Sequence, residues 1–299
     1  MKKKWMYMIS LVMGVVIWAG MVHAVSLEEI QAAVQQRGAA WIPGRNDVWN
    51  KSDTEKQSLV GTILEGRNPP TSNTTGTLQS LPAYFDWRDA GVVTSVKDQG
   101  KCGGCWAFAT VGELESLLLI TGQAKESVED LSEQFLISYN LSNRGCNGGI
   151  LSRAADFLEK TGTISESCKP YKASNAKLPP PCSNWKAELE TIETWTSVPR
   201  TVEDLKAAVY QRPVATGFYV YTDFYSYTGG VYSYVTGKHE GGHAVLVVGW
   251  DDSNQCFIVK NSWGTGWGEG GYFRIAYTEM NSKVEFGTDS VLFDPVLTR

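Results

Sequence analysis

Apolar positions change their rhythm twice along the chain. An uncharged, largely apolar run from Trp5 to Val22 follows Lys2, Lys3 and Lys4, and Val22-His23-Ala24 places small residues where a signal peptidase reads. Residues 1–24 therefore read as a secretory signal peptide, with an uncleaved membrane anchor as the alternative. The next stretch, 25–80, lacks cysteine, and Lys51 to Ser80 is rich in Ser, Thr, Asn, Gly and Pro. Pro69-Pro70 and Thr71 to Thr77 read as an exposed linker. From Leu81 the pattern tightens. Ala107, Val111, Leu114 and Leu118 trace a 3.6-residue face that predicts a helix over 106–121, stopping before Gly122. Helical patterns follow at about 133–140, 151–160 and 202–211, the last with Thr201 as N-cap and Pro213 as terminator. Short apolar runs at 214–221, 243–250, 256–260 and 271–277 read as strands. Helices first and strands later predict an α+β fold of two lobes, one helical and one β-rich, with a cleft between them.

Composition narrows the classes. With 299 residues, 42% hydrophobic and 20% charged, the chain fits a soluble globular protein rather than a collagenous, disordered or polytopic membrane one. A net charge of −5 and a pI near 5.4 argue against nucleic acid as a partner and against anionic membrane surfaces. The charge is unevenly divided: residues 81–299 carry −7, residues 1–80 carry +2. That asymmetry favours docking of the N-terminal segment on the rest, and acid would weaken it. A short segment, a soft linker and a compact domain are the layout of a proenzyme: signal peptide 1–24, propeptide 25–80 and enzyme domain 81–299. Asn50, Asn73 and Asn140 open glycosylation sequons that matter only in a eukaryotic host.

All six cysteines lie beyond position 100: Cys102, Cys105, Cys146, Cys168, Cys182 and Cys256. In a secretory chain six cysteines allow three disulfides in any of about fifteen connectivities. Cys102-Gly-Gly-Cys105 also admits a redox pair or half a zinc site, but no second closely spaced Cys or His pair follows, so no metal or cofactor is expected. Once His23 leaves with the signal peptide, His239 and His243 are the imidazoles available. His239 lies in a polar stretch that reads as a solvated turn. His243 follows Gly241-Gly242 and opens the apolar run Ala244 to Val248, which makes it the better catalytic candidate.

At Gln99-Gly-Lys-Cys-Gly-Gly-Cys-Trp-Ala-Phe108 the sequence resembles the papain-like cysteine proteases, with Gly104 where Ser or Ala is usual. The resemblance runs through 81–292 and includes Asp86-Trp87-Arg88, Leu131-Ser-Glu-Gln134, Gly145-Cys-Asn-Gly-Gly149, Gly242-His-Ala244 and Asn261-Ser-Trp-Gly-Thr-Gly-Trp-Gly268. Pro213 to Phe224, Gly230-Val-Tyr, Trp41 to Asn46 and Gly61-Thr-Ile-Leu64 are similar to the cathepsin B branch. The resemblance implies a papain-like fold and a zymogen whose propeptide lies across the cleft and acts as its own inhibitor.

It also implies roles. Cys105 would be the nucleophile, His243 the acid and base, Asn261 the residue that orients the imidazole, and Gln99 the oxyanion-hole donor. The predicted helix places Cys105 at an N-terminus, where the helix dipole favours a thiolate. An ion pair with protonated His243 would lower its pKa further. Trp263 would shield the Asn–His bond, Gly148 and Gly149 would pair with extended substrate, and Ile150, Leu151, Gly242 and Val291 would line the pocket for the second residue before the scissile bond. Val291 stands about where cathepsin B has an acidic residue, so apolar or aromatic side chains are expected there rather than Arg. Cys102 and Cys146 match a family disulfide, Cys168–Cys182 is the expected second, and Cys256 is expected as a buried small hydrophobe. The 168–182 stretch stands in place of the cathepsin B occluding loop, which grips a C-terminal carboxylate with histidines. Here it has none and ends in Pro179-Pro180-Pro181. The expected activity is thus a cysteine endopeptidase, a monomer acting on protein and peptide substrates in a lysosome-like vacuole or outside the cell. The rival readings are an exopeptidase and an inactive papain-like binding protein.

Overall fold

The computed structural model describes residues 24–67, 81–122, 130–176 and 179–296. The signal-peptide run up to His23 and the Pro69–Thr77 linker lie outside the described residues. Among the described residues no helix is long and apolar enough to cross a membrane.

The helices are α1 (Leu27–Arg37), α2 (Asp53–Gln57), α3 (Cys105–Ile120), α4 (Glu133–Tyr139), α5 (Leu151–Lys160) and α6 (Val202–Gln211). The strands are β1 (Trp41–Pro43), β2 (Tyr84–Asp86), β3 (Thr194–Ser197), β4 (Val214–Tyr221), β5 (Tyr227–Tyr232), β6 (His239–Asp251), β7 (Cys256–Lys260), β8 (Tyr272–Ala276) and β9 (Thr288–Asp294). They form one mixed sheet in the order β1-β5-β8-β7-β6-β4-β9-β3, with β2 added along β6. This is the two-lobed papain-like arrangement: α3, α4 and α5 make the helical lobe, and the sheet makes the other.

Helix α3 is buried on nearly every side, as expected of a helix at the seam between lobes. Its two acids fasten it there. The Glu113 carboxylate accepts the Ala215 and Phe293 amides at 2.8 Å each, tying α3 to β4 and β9. Burial pushes Glu113 well above the usual carboxylate range, partly offset by those two amides. Glu115 accepts the Lys97 ammonium at 2.8 Å and the Leu131 amide at 2.9 Å. Lys97 also reaches Glu133 on α4 at 2.8 Å, so a half-buried cation joins two helices of the lobe. Strand β4 pairs with β6 through Phe218↔His243, which carries the position of α3 across to the histidine.

The N-terminal segment is part of this architecture. Ser26 and Ser52 open α1 and α2 with reciprocal capping boxes, which start each helix without tertiary help. β1 pairs antiparallel with β5, and Trp41 is buried against Tyr227 and Tyr232. Within the polar stretch that begins at Lys51, residues 53–57 form α2 and an extended run with defined backbone partners follows to Arg67. His239, expected in a solvated turn, begins β6 and stacks edge-on to Tyr219 and Tyr221. Sγ–Sγ distances of 2.05 Å for Cys102–Cys146 and 1.97 Å for Cys168–Cys182 define two disulfides, and Cys105 and Cys256 are buried free thiols.

Candidate active site

Four polar side chains from different elements converge between the lobes. Cys105 is the first residue of α3, whose N-cap is Gly104. His243 lies on β6 and is fully buried; its Nε2 stands 2.8 Å from Asn261 Oδ1, in the turn after β7. Gln99 precedes α3, and its backbone N–H donates to the Ser262 carbonyl at 2.9 Å. Its side-chain oxygen accepts the Ser262 hydroxyl at 2.7 Å, which leaves Nε2 to donate to the Cys102 and Leu59 carbonyls at 2.9 and 3.1 Å. The Trp263 ring lies 4.7 Å from the imidazole at 31°, covering the His–Asn bond with an apolar face. Excluding water strengthens that hydrogen bond and holds the ring in one orientation.

The cleft is filled by residues 59–67 of the same chain. The Gly61 and Thr62 amides both donate to the Gly242 carbonyl, at 2.9 and 3.0 Å. The Ile63 amide donates to Gly149 O at 2.8 Å, and Gly149 N–H donates to Gly61 O at 3.0 Å, a parallel bridge. Glycine is required on both walls. A Cβ on Gly242 would lie 2.2 Å from Thr62 O, and one on Gly148, at φ +110°, would lie 2.3 Å from Gly61 O. The group facing the thiol is a hydroxyl: Thr62 Oγ1 lies 3.1 Å from Cys105 Sγ. Leu64 turns its side chain against Gly217 and Gly242. Farther along, Asp289 accepts the Glu65, Gly66 and Arg67 amides at 2.5, 3.3 and 2.7 Å.

The electrostatics of this filled cleft differ from the thiolate–imidazolium pair expected from the sequence. Burial pushes the Cys105 thiol above its ordinary value, outweighing the Thr62 hydroxyl and nearby amides. Burial also pulls His243 down to about 4, against the opposing Asn261 hydrogen bond and a smaller contribution from Leu59. The imidazole Nδ1 makes no hydrogen bond of ordinary geometry. Both groups are therefore neutral near pH 7 while the segment is in place, because it takes water from both and offers no counter-charge.

Of the expected pocket residues, Leu151 and Val291 are buried in one apolar cluster with Ala215 and Ala244, and Val291 pairs with Ala215 on β9. Gly217, which Leu64 touches, pairs with Thr288 at the near end of β9. Ile150 is buried beside them at the start of α5. Sequence reasoning did not find Thr62 at the thiol, the Leu59 carbonyl on Gln99, or Asp289. Gly61-Thr-Ile-Leu64 had been singled out as a motif, but nothing local marks Asp289, whose role depends on a loop 222 to 224 residues away.

The family profile for the papain family cysteine proteases matches residues 81–291. The chain belongs to the papain family. This papain-family protein is 34% identical over 277 residues to Cathepsin B-like CP2 of Giardia intestinalis, covering 88% of this chain and 91% of the relative. Its structure is similar to proCathepsin B S9 from Trypanosoma congolense, with a TM-score of 0.80, 25% identity, and coverage of 92% and 99% of the two chains. It is also similar to a recombinant stem bromelain precursor, with a TM-score of 0.76, 28% identity, and coverage of 91% and 89%.

Proposed function

We propose that this papain-family cysteine protease is an endopeptidase made as a zymogen on the secretory route, silenced by its own residues 25–80. The observation that carries the reading is the content of the cleft. A backbone segment is hydrogen-bonded to both walls, yet it presents a hydroxyl rather than a peptide carbonyl to Cys105. A chain held that way blocks the cleft and offers nothing to attack. The procathepsin and bromelain-precursor likenesses, which extend over the N-terminal segment, support the same reading.

Once the segment leaves, the Cys105 thiol loses the cover that raised its pKa and keeps its place at the N-terminus of α3, where the dipole favours a thiolate. The Cys105 thiol passes its proton to His243, the thiolate attacks the scissile carbonyl, the C–N bond breaks, and the His243 imidazolium gives that proton to the leaving amine. Water then attacks the thioester with His243 as base, releasing the acid and regenerating the thiol. Asn261 holds the imidazole through its Oδ1, and Gln99 Nε2 and the Cys105 amide stabilise the oxyanion. Leu64 stands in for an apolar second residue before the cut, which supports an apolar or aromatic preference at that subsite. The absence of histidine between Cys168 and Cys182 supports an endopeptidase over a carboxydipeptidase.

The test is hydrolysis of an internally quenched peptide, blocked at both ends, with Phe or Leu two residues before the intended cut. Acid-processed protein should cleave it internally and Cys105→Ser should not. Stepwise loss of C-terminal dipeptides from an unblocked peptide, with the blocked one untouched, would replace the reading with an exopeptidase.

A further inference from the structure

Residues 59–67 sit over the catalytic centre and the pocket side of the cleft, while residues 55–57 lie beyond it, on the side that the leaving amine would occupy. This orientation rests on the protease reading above. There the segment meets a carboxylate with no part in the catalytic chemistry. Glu240 lies on β6, three residues before His243, and the intervening Gly241 lies under the Val60 side chain. With the segment in place its side chain is 4% exposed. One oxygen accepts the Thr222 hydroxyl at 2.7 Å, and the other accepts the side-chain amide of Gln57. The Lys56 ammonium lies in the field of Glu240, which pulls its pKa upward against the larger effect of burial. The Lys56 carbonyl is held by the Tyr225 hydroxyl at 3.1 Å. Among the described residues of the mature domain the cation paired with this carboxylate is Lys238, at 3.5 Å, with a side chain 68% exposed.

We propose that Glu240 is a specificity-determining residue that selects Arg or Lys at the first or second position after the scissile bond. The chain's own Lys56-Gln57 shows what the site accepts, a donor-bearing side chain on an extended backbone. Loss of the segment frees one oxygen of a carboxylate whose other oxygen is already used. A carboxylate that is sealed from water by the chain docking on it gains most from a charged donor, because an uncharged partner leaves part of its desolvation unmet. Lys238 competes weakly, since an ammonium that exposed is held mainly by water.

The experiment uses the processed enzyme and two kinds of substrate. A dye amide with no residue after the bond gauges the protease reading alone. Internally quenched peptides that differ only in having Arg, Leu or Glu at the first or second position after the cut gauge Glu240. Wild type should favour Arg over Leu in kcat/KM by on the order of tenfold to a hundredfold, the scale of one hydrogen bond to a charged group. Glu240→Gln should collapse that ratio, and Glu240→Lys should turn it toward Glu, a gain that misfolding cannot mimic. Cleavage of the dye amide with no Arg preference, or ratios unchanged in both variants, would overturn the proposal. Failure to cleave any substrate, dye amide included, would overturn the protease reading and this proposal with it.

Discussion

Gly61→Ala gives the sharpest test of the filled cleft, because on the processing proposed above the altered residue leaves with residues 25–80 and the mature enzyme stays the same. A Cβ at Gly61 would lie 2.3 Å from the Gly103 carbonyl oxygen and 2.7 Å from its C and Cα. All three are backbone atoms in the loop closed by Cys102–Cys146, beside the first turn of α3, and they cannot turn aside as a side chain would. The segment has to lift instead. Lifting it breaks Gly61 N–H to Gly242 O at 2.9 Å, Thr62 N–H to Gly242 O at 3.0 Å, Gly149 N–H to Gly61 O at 3.0 Å and Ile63 N–H to Gly149 O at 2.8 Å. At about 1 kcal/mol net for each hydrogen bond the loss is about 4 kcal/mol, less whatever water restores. Every 1.4 kcal/mol is roughly tenfold, so the separate propeptide should inhibit the mature enzyme on the order of a hundredfold to a thousandfold less well. The assay is competition by wild-type and Gly61→Ala propeptides, spanning 25–80, against a fluorogenic substrate, with circular dichroism to compare their helix content. An inhibition constant changed by less than about threefold would refute the reasoning, since the clash would then cost less than one of the four bonds.

Three further outcomes follow from the site. The zymogen should react with iodoacetamide at Cys105 at least roughly a hundredfold more slowly at pH 7 than the processed enzyme, because burial under the segment raises the thiol above its ordinary value and keeps it protonated; equal rates would refute the neutral-pair geometry. Propeptide affinity should fall with acid: His243 is depressed to about 4 in the filled cleft, so its contribution is present above about 6.5 and is lost as pH falls through about 4. Glu55 is lowered to about 2 chiefly by hydrogen bonds from Ser52, which stay within the segment, so it adds in the same direction only through its ion pair with Lys101 at 3.0 Å. Affinity that stays flat or rises between pH 7 and pH 4, read by calorimetry with Cys105→Ser enzyme, would count against this. Asp289→Ala removes the acceptor of three consecutive amides and should raise the propeptide dissociation rate by roughly thirtyfold, about 2 kcal/mol, with Asp289→Asn intermediate. Surface plasmon resonance showing the same rate for all three would remove Asp289 from the grip.

Much of this was legible in the sequence, and the reason differs by element. The 3.6-residue face of α3, Thr201 before α6 and the apolar runs of β4, β6 and β7 are local patterns, and the structure keeps them to within a few residues. Cys105, His243, Asn261 and Gln99 could be singled out as candidates because each sits in a short local motif: a helix start, a glycine pair, a strand end and a polar turn. Strands β1, β5 and β9 were not readable, because each depends on a distant partner: β1 forms only where β5 runs, about 190 residues later. The run 59–67 has no secondary structure to announce it and takes its shape from the cleft walls. The chain's own letters therefore determined the family, the reactive groups and the order of the lobes, since those are properties of short motifs and of periodicity. Tertiary structure alone decided that Thr62 faces the thiol, that Asp289 holds the segment leaving the cleft, and that Cys105 and His243 are neutral together. A pKa is set by the water and the partners around a group, and here the partner that replaces water at Cys105 is Thr62, 43 positions away.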